Sequence, residues 1–270
     1  MMMTNYQFQY YLTSNQQKPL ILFLHGFMGN TTEFEPVISL LSDEFSYLTI
    51  DLPGHGKTQI LGGDECYTMV NTAQALITLL DELNIHKCFL IGYSMGGRLG
   101  LYMTLHFPER FFKVVLESAS PGLKTEQERL ERVKRDSQIA RKLERITSRE
   151  NFLSFLSAWY QQPIFGHINQ QPKFHKMIEN RLQNNPVELA KSLRLIGTGC
   201  QPSLWDKLEN NQIPLLLLAG EYDDKFIEIN TEMINKCQSA QLEIINNAGH
   251  NIHFENPTDF EKNIRYFLGN

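Results

Sequence analysis

The sequence predicts an α/β protein: a mostly parallel central sheet with helices on both faces, interrupted by an inserted helical lid. Three observations carry this. Short apolar runs alternate with helical patterns, the order that crossover helices impose on parallel strands. The alternation stops near Ala119 and resumes at Pro214. Between these runs, Gly92-Tyr93-Ser94-Met95-Gly96 links an apolar stretch to a helix-forming one, the strand–turn–helix context that exposes a serine on a strained turn.

Taken in order, Tyr6–Leu12 reads as an edge strand and Leu20–Leu24 as a buried strand followed by the loop His25-Gly26-Phe27. Tyr47–Ile50 is a further strand, ending at Asp51-Leu52-Pro53-Gly54-His55-Gly56. Tyr67–Leu83 is a long amphipathic helix with Ala73, Leu76, Ile77 and Leu80 on one stripe. Cys88–Ile91 leads into the serine turn, Gly97–His106 is helical, and Val114–Glu117 is the next strand. From 119 to 212 no strand pattern occurs, and 124–150 alone holds nine Lys or Arg and six acids. Leu215–Ala219, Lys225–Cys237, Leu242–Ile245 and Asn256–Leu268 then supply strand, helix, strand and helix. The division is therefore a core of 1–118 and 213–270 with a helical lid of 119–212. An insertion at this point emerges where the βα-loops of an open sheet gather, the side on which ligands bind. A separate domain with its own function is the competing reading.

Composition narrows the function classes. At 270 residues, 42% apolar, 20% charged and net −5, the chain lacks the basic excess of a nucleic-acid binder. Cys66, Cys88, Cys200 and Cys237 lie far apart and form neither a zinc pattern nor a disulfide framework. Met1 to Lys18 holds no apolar h-region, and no apolar run reaches the roughly 20 residues that span a bilayer. The expectation is a cytoplasmic protein, monomeric by default, with no membrane or nucleic-acid partner.

A serine is a weak nucleophile or base until a histidine takes its proton, and that histidine is oriented by a carboxylate. On a serine turn of this type the partners follow in the chain order acid, then histidine. After Leu215–Ala219 come Glu221, Asp223 and Asp224; the spacing Gly220-x-x-Asp selects Asp223, leaving Asp224 as a solvated helix cap. After Leu242–Ile245 comes Gly249-His250, with Gly249 suiting a sharp loop; His253 reads as an ordinary, partly exposed histidine. His86, His106, His167 and His175 carry no motif. Backbone N–H groups of Met95 and Phe27 are the expected oxyanion donors, with Gly26 permitting close approach. Gly54-His55-Gly56-Lys57-Thr58 ends like a phosphate loop, but the first glycine of that motif would fall on Asp51, so nucleotide binding is discarded. Arg98 lies four residues after Ser94, while Arg129, Arg132 and Arg181 lie in the lid; a charge-rich helix is ordinarily a solvated face.

With these residues in place, the chain resembles α/β-hydrolase-fold proteins over nearly its full length. Within them it is most similar to the 2-succinyl-6-hydroxy-2,4-cyclohexadiene-1-carboxylate synthases of menaquinone and phylloquinone biosynthesis. Phe23-Leu24-His25-Gly26-Phe27-Met28-Gly29, Asp51 to Gly56, and Gly92 to Arg98 carry the broad likeness. More specific are Ser120-Pro121-Gly122-Leu123, Glu128 to Arg132 with Asp136, Trp159-Tyr160-Gln161-Gln162-Pro163, and Gly220 to Phe226. The resemblance implies a lyase that eliminates pyruvate from a small tricarboxylate, with Ser94, Asp223 and His250 as the triad and no metal or organic cofactor. It also implies substrate contacts from Arg98, Arg132 and Arg181, with Tyr93, Trp159 and Tyr160 lining the pocket. A triad does not announce which bond it breaks. An ester or carbon–carbon bond hydrolase, and a non-catalytic ligand receptor, remain the competing readings.

Overall fold

The computed structural model describes residues 5–15, 17–166 and 168–269. The chain runs Tyr6–Gln7 (β1), Tyr10–Thr13 (β2), Leu20–Leu24 (β3), Glu35–Leu41 (α1), Ser46–Ile50 (β4), Gln59–Ile60 (β5), Met69–Glu82 (α2), Cys88–Tyr93 (β6), Met95–His106 (α3) and Phe111–Glu117 (β7). Four helices follow: Glu126–Glu144 (α4), Arg149–Tyr160 (α5), Phe174–Arg181 (α6) and Pro186–Ile196 (α7). Leu215–Gly220 (β8), Asp224–Lys236 (α8), Ala240–Ile245 (β9), Ile252–Glu255 (α9) and Pro257–Gly269 (α10) complete the chain.

Seven strands form one sheet in the order β2-β4-β3-β6-β7-β8-β9, with β2 antiparallel to β4 and every other pair parallel. The inner strands β3, β6 and β8 are almost continuously apolar because both faces of the sheet are covered there. Alternation divides the residues: Leu22, Leu24, Leu90 and Leu116 pack with α2 and α3, through Leu76, Leu80 and Leu99. Ile21, Phe23, Ile91 and Val115 point the other way, onto α1 and α10 through Val37, Phe260 and Ile264. Leu24 pairs with Gly92 and Tyr93 with Glu117, so the C-terminal ends of the central strands, and the loops that leave them, share one edge.

The expected edge strand Tyr6–Leu12 is in fact two. β1 pairs with β5 in a separate two-stranded sheet, and β2 alone joins the main sheet. Between them Gln9 is drawn to the 51–58 loop, its N–H donating to Thr58 Oγ1 at 2.9 Å and its carbonyl accepting from Asp51 N–H at 2.9 Å. α2 starts at Met69 rather than Tyr67, because Thr68 takes the N-cap position and accepts from Asn71 N–H. α1, only seven residues long and carrying Pro36 in its first turn, escapes the sequence reading.

Among the described residues, the connection from β7 to β8 contains helices and turns but no strand. Three of its four α-helices start on side-chain caps: a capping box of Thr125 and Glu128 opens α4, Ser148 opens α5, and Asn185 with Pro186 opens α7. These helices bury a cluster of their own, including Leu143, Leu156, Ile178, Leu189 and Leu193, joined by Met28 from the core. No helix among the described residues is long and apolar enough to cross a membrane.

Candidate active site

Ser94 occupies the turn between β6 and α3 with φ +48° and ψ −105°, a region that L-residues seldom adopt. Three glycines make the turn possible. A Cβ on Gly96 would lie 2.1 Å from the Leu24 carbonyl oxygen, and one on Gly92 would lie 2.6 Å from that of Gly96. One on Gly97 would lie 2.6 Å from Ala119 Cβ. The Ser94 N–H donates to the Glu117 carbonyl at 2.8 Å, tying the turn to the end of β7.

From the ends of β8 and β9 come the partners. His250 Nε2 lies 3.1 Å from Ser94 Oγ, and His250 Nδ1 lies 2.6 Å from Asp223 Oδ2. Asp223 and His250 are both buried, with the Phe226 ring 4.8 Å from the imidazole. The neighbouring acids are occupied elsewhere or solvated. Glu221 accepts from Asn247 N–H at 2.8 Å, and Asp224 is the exposed first residue of α8. The expectation of Asp224 as helix cap needs correction: Asp223 holds the N-cap position, yet its carboxylate faces His250 and makes no cap bond.

His25 shapes the loop opposite. Its Nδ1–H donates to the Gly26 carbonyl at 2.7 Å, and its Nε2 accepts from Leu52 N–H at 2.9 Å, a pattern only the neutral ring can make. Burial lowers its pKa and favours that form. A Cβ on Gly26 would lie 2.5 Å from the Tyr93 ring, so the chain at Phe27 passes close beside the serine turn. Phe27 and Met95 both line the cavity above Ser94. The 54–58 turn resembles no phosphate cradle, since Asp51 fills it, accepting from Lys57 N–H at 2.7 Å and Thr31 N–H at 2.6 Å.

The cavity measures about 800 Å³ and is walled by the core on one side and by α4, α5 and α7 on the other. Tyr93, Arg98, Arg132, Trp159 and Tyr160 all line it. Arg98 is buried, its Nη1 donating to the Ile196 carbonyl at 3.0 Å and to Gln201 Oε1 at 2.9 Å. Burial and the charge of Arg132 pull its pKa down to about 10, still high enough to keep it charged at neutral pH. Arg132 Nε donates to Asp136 Oδ1 at 2.8 Å. Lys225 also faces the cavity, its pKa lowered by burial and then by Arg132.

Arg181 corrects the sequence reading. It is absent from the cavity lining; its Nη2 donates to Glu33 Oε1 at 2.5 Å and its Nε to the Tyr160 hydroxyl at 3.0 Å. Its charge is met by Glu33 behind the wall. His253 is the second correction: instead of being partly exposed it is 1% exposed, packed between two carboxylates. Arg135 and Lys225 line the cavity without having been singled out, although Arg135 follows Arg132 at the i+3 spacing that places both on one helix face. His167 lies outside the described residues.

This geometry and sheet define an α/β-hydrolase-fold protein, and the family model of the alpha/beta hydrolase fold matches residues 19–257. A 2-succinyl-6-hydroxy-2,4-cyclohexadiene-1-carboxylate synthase of Enterobacter sp. (strain 638) is 36% identical, over 88% of this chain and 87% of its own. A Bacillus subtilis (strain 168) protein provisionally given the same name is 38% identical, over 92% and 89%. The solved structure of MenH from S. aureus superposes with a TM-score of 0.88 at 34% identity, covering 99% of this chain and 98% of that one. The chain belongs to the 2-succinyl-6-hydroxy-2,4-cyclohexadiene-1-carboxylate synthase family of α/β-hydrolase-fold proteins.

Proposed function

We propose that this chain is a carbon–oxygen lyase of the cytoplasm, eliminating pyruvate from 2-succinyl-5-enolpyruvyl-6-hydroxy-3-cyclohexene-1-carboxylate to give 2-succinyl-6-hydroxy-2,4-cyclohexadiene-1-carboxylate. The observation that carries the reading is a serine–histidine–aspartate relay opening onto a cavity walled by Arg98 and Arg132. Arginine forks suit carboxylates, and the substrate carries three. The names of relatives at 36–38% identity support the same reading.

Ser94 Oγ passes its proton to His250 Nε2, and Asp223 on Nδ1 stabilises the imidazolium that forms. The alkoxide takes a C–H proton beside a carbonyl. The electron pair left behind closes a carbon–carbon double bond and expels the enolpyruvyl oxygen, and the departing enolate takes the proton held by the His250 imidazolium, directly or through water, to become pyruvate. Charge that builds during abstraction meets the Met95 and Phe27 N–H groups or the arginine wall. Residues 119–212 serve as the lid, with Tyr93, Trp159 and Tyr160 shaping the bound ring.

The test supplies the enolpyruvyl substrate and follows pyruvate release beside hydrolysis of a nitrophenyl ester. Pyruvate release far above ester hydrolysis is expected. Rapid quenching and intact-protein mass spectrometry should find no adduct; an acyl mass on Ser94 during turnover would restore the hydrolase.

A further inference from the structure

Four charged side chains outside the cavity form one buried chain. Glu117, at the end of β7 and fully buried, accepts from the His253 backbone N–H at 3.0 Å and lies 2.7 Å from His253 Nδ1. His253 Nε2 lies 3.3 Å from Glu33 Oε1, and the same oxygen accepts from Arg181 Nη2 at 2.5 Å. Arg181 Nε then donates to the Tyr160 hydroxyl. Glu33, His253 and Arg181 have side chains 3% exposed or less, so water screens little of this.

The two ends of the chain matter. Glu117 receives the Ser94 N–H on its backbone carbonyl and the His253 ring on its carboxylate. Tyr160 stands in the cavity wall, on the last turn of α5. Two acids and two cations alternate between these ends, so removing any one leaves a buried charge without its partner. We propose that His253, with Glu33 and Arg181, is a positioning residue that fixes the lid wall at Tyr160 relative to the serine turn. None of Glu33, Glu117, His253 or Arg181 lines the cavity, so whatever they do to the substrate must pass through Tyr160 or the turn.

The chain needs a charged His253. Burial opposes that charge, but Glu117 and Glu33 raise the ring to about 9. The same Glu33 is held well below the carboxylate range by Arg181 and His253 against the cost of its burial. Other groups face this ring: Tyr93 from β6, its ring 4.9 Å away, Phe34, tilted against it at 4.4 Å, and Glu255 from α9, itself raised to about 7 chiefly by burial. His25 and His55 feel Glu33 and Arg181, but burial lowers both, so they carry no competing charge at neutral pH. A raised pKa means that the bridge is intact below pH 6.5 and is lost as pH rises through about 9.

This inference rests on the lyase reading only for its kinetic readout, and hydrogen exchange supplies a second one. His253→Gln, Glu33→Gln and Arg181→Lys are compared with wild type well below each melting temperature. The expected result is about a tenfold or greater rise in KM, kcat changed less than threefold, and faster amide exchange in α5 and α6. The wild-type KM should climb as pH rises through about 9, and more steeply than that of His253→Gln, in which only the cavity cations Arg98 and Lys225 still titrate. His253→Gln combined with Arg181→Lys should lose no more than the worse single variant. If His253→Gln does not fold, Arg181→Lys, which keeps the charge and loses the fork, decides the matter. Lowered melting temperatures with KM, its pH profile and α5–α6 exchange all unchanged would reduce the chain to a structural role and overturn the proposal. A wild type that releases no pyruvate would instead defeat the lyase reading, and the exchange arm would still stand.

Discussion

The two walls of the cavity are held by different physics. On the core side the backbone does the work: glycines at 92, 96 and 97 admit a turn that no side chain could share, and strand register brings three loops together. On the inserted side, side-chain charge does it. Arg98 ties the core to Ile196 and Gln201, Arg132 is tethered by Asp136, and Arg181 reaches across to Glu33. A backbone constraint fails by steric clash, whereas a charge constraint fails by leaving a buried partner alone. The two walls should therefore respond differently to substitution.

The largest effect belongs to the core wall. Ser94→Ala, His250→Ala and Asp223→Asn should each lower kcat by roughly 10³-fold or more, because relay members act as a unit. Circular dichroism should find them folded. Asp224→Asn, on an exposed carboxylate, should change little; a large loss there with Asp223→Asn nearly active would reverse the acid assignment. Gly96→Ala tests the backbone half of the contrast. With Leu24 O only 2.1 Å from the new Cβ, a destabilisation of about 3 kcal/mol is expected from overpacking. Chemical denaturation measures it, and wild-type stability would mean that the turn is not sterically fixed.

The charge contacts that hold the inserted wall should give smaller, graded losses. Arg98→Ala and Arg132→Ala should each cost roughly 1.5–3 kcal/mol of productive binding, a tenfold to hundredfold drop in kcat/KM. Lysine should rescue poorly because it lacks the planar fork. Arg141, which donates to the Ser137 carbonyl of its own helix, and Arg149, paired with Glu179 in solvent, serve as controls with little effect. Equal small losses at all four positions would leave general attraction as the explanation and remove the clamp.

The same contrast explains what the sequence disclosed. Backbone constraints write themselves locally: Gly92 and Gly96 flank Ser94 at fixed spacing, Gly249 precedes His250, and Gly220 sits three before Asp223. β3 and the serine turn were legible for that reason, and so were the acid and the histidine that the structure brings to Ser94. Charge pairs write nothing local. Glu33 and Arg181 are 148 residues apart, and Glu117 and His253 are 136 apart. Nothing beside Arg181 in the sequence therefore qualified the substrate contact that the resemblance implied, and His253 read as an ordinary, partly exposed histidine, when each is half of a buried pair. The split of β1 from β2 was hidden similarly, because Thr58 and Asp51, distant in sequence, capture Gln9.

The smallest expected effect lies at the seam where the two walls meet. Glu255 accepts from Gly249 N–H at 3.1 Å, holding the loop that presents His250, and burial raises its pKa to about 7. A carboxyl whose folded pKa exceeds its unfolded value of 4.5 favours folding when protonated. Its contribution is therefore full below pH 4.5 and declines as pH rises through about 7. Because Glu255 is only partly buried, solvent screens the effect, and a difference under about 1 kcal/mol between pH 5 and pH 8 is appropriate. Glu255→Gln cannot ionise, so urea titrations at those two pH values should show a smaller decline than wild type. The variant should keep kcat within a few-fold, since glutamine can still accept the Gly249 N–H. An unchanged pH slope would place the carboxyl in water rather than against the loop, and the seam would then have no titrating contact of its own.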